Sequence, residues 1–180
     1  MRRIQWGMLI FGMMFVGCST APVSERPTWV MKGSGAFKKD PKTLYGVGIA
    51  ETMKPESLRR ETADNRAMLE VSKQLSTVSS ALMRDYMASS AIPEKDRSNS
   101  EQYVERVAKT FTDNTLVGVK IIDRWDNGKV TYSLATLSFE DLKVMTDQVK
   151  ELDEGVKEYI KQNADKAFEL LNQEQEKTKE

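Results

Sequence analysis

Apolar residues recur along the chain in two rhythms, and each change of rhythm marks a boundary between elements. The run Leu44-Tyr45-Gly46-Val47-Gly48-Ile49-Ala50 alternates large Tyr45, Val47 and Ile49 with small Gly46, Gly48 and Ala50. That period of two predicts a strand with one side bare enough for a helix or a neighbouring backbone to come close. From Pro55 to about Ala91 the chain has no Pro or Gly after its first residue and is dense in good helix formers, which predicts one long helix. Met68, Val71, Leu75, Val78, Leu82 and Tyr86 recur at spacings of three and four and give that helix an apolar stripe. Ile92-Pro93 ends it, and the polar stretch Glu94 to Asn99 leads to a second helix from about Glu101 to Asn114. Ser100 is its expected cap, and Tyr103, Val104, Val107 and Phe111 form its stripe.

Two further apolar runs, Val117 to Trp125 and Val130 to Leu137, flank Asp126-Asn127-Gly128-Lys129. Asn-Gly supplies the positive φ angles of a tight turn, so the two runs are expected to pair as an antiparallel hairpin. With Asn127 and Gly128 at the turn, Trp125 pairs with Val130, Asp123 with Tyr132, Ile121 with Leu134 and Val119 with Thr136. This face is the predicted core side, and the face with Lys120, Arg124, Thr131 and Ser133 the solvent side. Ser138 followed by Asp141 resembles a capping box and starts a last helix expected to run to Leu171 or beyond. Leu142, Met145, Val149, Leu152, Val156 and Tyr159 make a heptad-like seam; Ile160, Ala164, Ala167 and Leu171 continue it on a shifted register, with Gly155 as a point of bending. The fold class expected is α+β: a small antiparallel sheet of about three strands packed against long helices, with a long C-terminal helix.

The start of the chain obeys a different logic. Met1-Arg2-Arg3 is followed by an uncharged, largely apolar run from Ile4 to Gly17 that ends at Cys18, the only cysteine. The run is shorter than the roughly 20 residues a bilayer-spanning helix needs and matches the apolar core of a secretory signal. Phe15-Val16-Gly17-Cys18 resembles the lipobox of bacterial lipoprotein precursors, in which a small residue precedes an obligatory Cys. The resemblance implies a diacylglyceryl thioether on Cys18 and cleavage between Gly17 and Cys18. Phe15 stands where Leu is usual and Val16 where Ala or Ser is usual. Ser19 follows where lipoproteins retained in the inner membrane often carry Asp, which favours the outer membrane in a Gram-negative source. One acyl chain holds a protein marginally and two or three hold it stably, at about 0.8 kcal/mol per buried methylene.

The expected organisation is a signal peptide over 1–17, a flexible lipid-anchored tether over 18–28, an α+β domain over 29–138, and a C-terminal amphipathic helix with a charged tail over 139–180. The tether is polar, carries Pro22 and Pro27, and gives way to the fold at Trp29.

Composition narrows the chemistry. The chain of 180 residues has no His, so Ser-His-Asp and Cys-His nucleophilic sites, His-ligated metals and the usual proton shuttle near neutrality are unavailable. Lys and Arg total 27 against 27 Asp and Glu, interleaved along the chain, which argues against nucleic acid as a partner. Gly46-Val47-Gly48 lies inside a strand and lacks the later Gly of a dinucleotide fingerprint, and Gly33-Ser34-Gly35 has no Gly-Lys-Ser/Thr element after it. Neither implies a cofactor, and no metal site or catalytic set is expected. Among the acids, Asp123 stands out because the predicted register puts it on the apolar face opposite Tyr132. Its ordinary reading is a carboxylate hydrogen-bonded or wet at the sheet margin, and a carboxylate-dependent envelope enzyme is the remote alternative.

Three motifs of the mature chain resemble the LPP20-type family of bacterial lipoproteins: Pro27-Thr28-Trp29-Val30, Leu44 to Ala50, and Ala63-Asp64-Asn65-Arg66-Ala67 leading to Gln74-Leu75. The hairpin Ile122-Asp123-Arg124-Trp125 to Tyr132-Ser133-Leu134-Ala135 agrees as well, so the resemblance spans about Pro27 to Phe139. It implies a small α+β domain on a lipid tether, no established catalytic residues, and, in some members, a place in flagellar or envelope structures at the outer membrane. The expectation is a non-enzymatic outer-membrane lipoprotein whose periplasm-facing domain is a structural or partner-binding module, oligomerising through the 139–171 seam. The alternative is a domain that binds peptidoglycan or a small ligand through the sheet edge or the Gly33 to Lys42 loop.

Overall fold

The computed structural model describes residues 25–89 and 100–177. Helix α1 (Thr28–Lys32) and a short 3-10 helix (Gly33–Phe37) lead into strand β1 (Thr43–Ala50), followed by helices α2 (Glu56–Ser89) and α3 (Ser100–Thr115). Strands β2 (Lys120–Asp126) and β3 (Thr131–Ser138) come next, then helices α4 (Phe139–Gln148) and α5 (Glu154–Lys177). β3 lies between β1 and β2 and is antiparallel to both. The α+β class, the three antiparallel strands and the long helices are therefore as the sequence predicts. The leader, the lipobox with Gly17 and Cys18, and the Ile92-Pro93 stop all lie outside the described residues.

The 34 residues of α2 make a rod about 50 Å long, far longer than the sheet is wide. Its first half crosses β1 and β3, and its second half packs against α3 and α5. The crossing is a backbone approach. A β-carbon at Gly46 would strike the Ala67 carbonyl and one at Gly48 the Ala63 carbonyl, and Ala63 and Ala67 are fully buried. The bare side of β1 therefore does receive a helix, and α2 meets it with small residues four apart. Met68, expected in the stripe, is only half-buried, because over the sheet the buried line runs through Arg59, Ala63 and Ala67 instead.

Beyond the sheet, Leu75, Val78, Leu82 and Met83 join Val104, Val107, Phe111, Leu142, Val149, Val156, Ile160 and Phe168 in one continuous core. The seam expected to recruit a second subunit is thus covered from within the chain.

Three expectations are corrected. The hairpin connection is a four-residue loop, so Trp125 pairs with Tyr132 and Asp126 with Thr131. Side chains set this loop: Asn127 Oδ1 accepts from the Lys129 and Val130 N–H groups at 3.0 and 2.9 Å, Asp126 accepts from the Gly128 N–H, and Gly128 takes φ 85°. A bulge between Ile121 and Asp123 then shifts the register again, placing Ile121 opposite Ala135.

The second correction concerns the faces. The side bearing Arg124, Thr131 and Ser133 is the one α2 covers, because it continues the bare Gly46 and Gly48 side of β1 across the sheet. Its polar residues are matched by polar residues of α2. The third is the last helix, which is two. The chain leaves α4 at Val149 in an extended conformation (φ −75°, ψ 102°), and Asp153 starts α5 by accepting the Val156 N–H at 2.9 Å.

Gly46→Ala is expected to lower unfolding stability by about 1–3 kcal/mol, since the added methyl meets backbone that cannot rotate away. Urea denaturation checks this, with Gly33→Ala as the comparison, where nothing lies within 4 Å of the new carbon and only its positive φ is at issue.

Candidate functional site

Both faces of the sheet carry polar constellations, and each has a distinct task. On the α2 side, Arg59 is only 6% exposed. Its Nε donates to Thr131 Oγ1 at 2.8 Å, its Nη1 to the Gly128 carbonyl at 3.1 Å and its Nη2 to the Asp126 carboxylate at 3.1 Å. Thr131 Oγ1 in turn donates to Asp126. One helical turn further on, Arg124 forms a two-pronged pair with Asp64, 2.8 Å on each arm, and Ser133 Oγ donates to the same Asp64 at 2.7 Å. Two Arg-carboxylate clamps therefore tie α2 to the hairpin, one through each partner's charge.

Burial pushes the Asp64 carboxyl up, but the hydrogen bonds from Arg124 and Ser133, together with the Arg124 and Arg60 charges, hold it below its usual range. Asp126 behaves alike: burial raises it, and Thr131, the Gly128 N–H and Arg59 bring it lower. These carboxylates stay ionised and fully engaged. A carboxyl serving as a general acid near neutrality needs the opposite displacement.

On the other face, the N-terminal segment forms a lid over the sheet. Trp29, Val30, Trp125 and Leu134 are buried together, with Ala36, Phe37, Tyr45, Val47 and Tyr132 packed around them. Phe37 stacks on Tyr45, ring centroids 3.9 Å apart and planes within 6°. The Tyr45 hydroxyl donates to Asp40 at 2.9 Å, and the Trp29 indole N–H donates to Asp123 at 2.9 Å. Arg26 closes the arrangement: its guanidinium lies over the Trp125 and Tyr132 rings at 5.3 and 5.6 Å and donates to the Tyr132 hydroxyl at 3.2 Å. Arg26 and Trp29 fasten the start of the described chain to the sheet.

Asp123 thus receives the ordinary assignment. It is an exposed carboxylate that anchors Trp29 and caps the Arg124 N–H at 2.8 Å. The sequence did not reveal the Arg26 clamp or the Arg59 and Asp64 latches. The only available signal was that both motifs pair a charged residue with hairpin residues far away in the chain, and the hairpin register was misplaced by two residues.

Both sheet margins are blunted. On edge strand β1 the Tyr45 carbonyl accepts from Gln74 Nε2 at 2.8 Å and the Ile49 carbonyl from Arg66 Nη1, and on edge strand β2 the bulge interrupts the ladder. A trough of about 490 Å³ runs between α2 and α3, lined by Ser72, Ser76, Ser80, Lys73, Lys109 and Asp113. Among the described residues no helix is long and apolar enough to cross a membrane, and no three His, Cys, Asp or Glu side chains converge to hold a metal. No protein-family model matches the chain, and no curated protein matches it.

Arg59→Ala is expected to cost about 2–4 kcal/mol, because it removes a buried guanidinium that donates to Thr131, Gly128 and Asp126 at once, whereas Arg124→Ala costs about 1 kcal/mol, since Arg124 is 43% exposed and solvent screens its pair. Chemical denaturation of the two variants checks the order. A second expectation concerns pH. Asp40, Asp64, Asp126 and Asp141 all have lowered folded pKa values, so the stability they contribute is complete above their ordinary value of 3.8 and is lost as pH falls through the lower folded values. With no His, no side chain of ordinary pKa titrates between about pH 5 and 8. Thermal unfolding is therefore expected to give a flat Tm across that range and a falling one below about pH 4.

Proposed function

We propose that the chain is a lipid-anchored outer-membrane lipoprotein of the LPP20 type, whose domain faces the periplasm and works as a non-enzymatic structural or partner-binding module of the cell envelope. The observation that carries this reading is the leader of residues 1–17 ending at Gly17-Cys18, eight residues before Arg26. Fully extended, eight residues reach at most about 29 Å, so acyl chains on Cys18 keep the domain within that distance of the bilayer. Arg26 and Trp29 give such a tether a firm root, since they bind its end to the hairpin and to β1's outer face. The polar clamps support a scaffold role: every buried side-chain polar atom among the described residues has a partner, and Asp64 and Asp126 are held ionised in ion pairs.

The alternative, a domain that binds peptidoglycan or a small polar ligand, is favoured by the serine- and lysine-lined trough between α2 and α3. The blunted sheet edges make them the poorer place for it. Retention on purified cell-wall sacculi that is lost in Ser76→Trp, with folding intact, would favour this alternative over a purely structural module.

For the lead reading, Cys18→Ser is expected to abolish incorporation of labelled palmitate and to move the protein from the outer-membrane fraction into the soluble one or into unprocessed precursor. Unchanged outer-membrane fractionation of Cys18→Ser would overturn it.

A further inference from the structure

The two signs of charge, interleaved over most of the chain, separate in one segment. Residues 26–42 hold Arg26, Lys32, Lys38, Lys39 and Lys42 against the single acid Asp40, a formal +4. Residues 43–180 hold 20 Lys and Arg against 25 Asp and Glu, a formal −5. The five cationic residues are all exposed, and Lys32 and Lys39 form no ion pair among the described residues. Asp40 is turned inward, accepting from the Tyr45 hydroxyl and from the Lys42 N–H at 3.2 Å. Next to Lys32 stands Met31, 68% exposed, although its neighbours Trp29 and Val30 are buried against the sheet. An unbranched apolar side chain in a cationic field, at the root of a short lipid tether, is what a headgroup surface recognises: phosphates attract the lysines and the thioether enters the acyl boundary.

We propose that the layer formed by residues 26–42 is a second, reversible membrane contact, docking on the anionic phospholipid headgroups of the bilayer that holds the acyl chains, with Met31 inserted. The proposal rests on the lipid-anchor reading for the layer's nearness to that bilayer. Its consequence is orientation: the Trp29 face of the sheet turns to the lipid, and α2, α3 and α5 turn away from it, toward partners.

The test uses the full chain matured in cells and reconstituted in vesicles, with a nitroxide on Met31→Cys and, separately, on Val117→Cys, a residue 83% exposed in the turn between α3 and β2. Collision with oxygen reports lipid, and collision with an aqueous nickel chelate reports water. In vesicles containing phosphatidylglycerol the label at 31 is expected to move into lipid and the label at 117 to stay in water. High salt, or Lys38→Ala, Lys39→Ala and Lys42→Ala together, is expected to shift the docked-to-undocked ratio by roughly a hundredfold. A label at 31 that stays in water with anionic and neutral lipid alike, while mass spectrometry shows the acyl chains in place, overturns the docking and leaves the anchor standing. Protein lacking acyl chains whose label still enters phosphatidylglycerol vesicles in a salt-dependent way overturns the anchor and supports the docking. A label immobilised by a soluble acidic polymer but not by phosphatidylglycerol vesicles overturns the docking in favour of an acidic macromolecular partner.

Discussion

The closeness of α2 to β1 governs the rest of the structure. Where Gly46 and Gly48 face Ala63 and Ala67, helix and strand backbones meet with no side chain between them. An approach this close removes the usual apolar layer, so the neighbouring positions are filled by whatever reaches across: Leu44 and Val71 at one end, Arg59 with Asp126 and Asp64 with Arg124 at the other. The ion pairs follow from the geometry and also fix it, because a shift of the hairpin by one residue would turn Arg124 and Asp126 away from their partners. The excess length of α2 beyond the sheet then requires α3 and α5 to cover it, and the core continues without a break from Leu44 to Phe168. The C-terminal segment is therefore packed as part of the same core as the sheet.

Much of this architecture was legible, and its limits have physical causes. The α2 stripe beyond Val71, the α3 stripe and the bare side of β1 rest on residue size and period, which are local properties. The hairpin was legible as a pair of strands but not in register, because Asn127 and Asp126 use their side chains to close a longer loop than Asn-Gly suggests. Polarity misled the choice of core face: Thr131 and Ser133 read as solvent-facing, yet they are buried because Arg59 and Asp64 supply hydrogen-bonding partners from 72 and 69 residues away. The break between α4 and α5 had a local signal, Asp153 as an N-cap, hidden by a seam that runs through Val149 and Leu152 as if unbroken. Asp123, read as a hydrogen-bonded or wet carboxylate at the sheet margin, accepts from the Trp29 indole N–H.

The two faces divide the labour. The α2 face holds the fold through paired charges, and the outer face holds the segment that begins at Arg26 through aromatic rings and the Arg26 guanidinium. If the chain is lipid-anchored as proposed, any load between bilayer and partner passes through this segment. That segment is held by a cation over two rings, a buried indole and the hydrogen bond from that indole to Asp123. The seam expected to bind another subunit is occupied within the chain, so partners would meet the exposed surfaces of α2, α3 and α5, not the apolar core.

The intact mass of the protein purified from membranes, with fragmentation of its N-terminal peptide, tests the central claim most directly. The account predicts a chain that starts at Cys18 and carries a diacylglyceryl thioether with a further fatty acyl group on its amino terminus. An N-terminal peptide beginning at Met1, or a Cys18 bearing a free thiol, would contradict it.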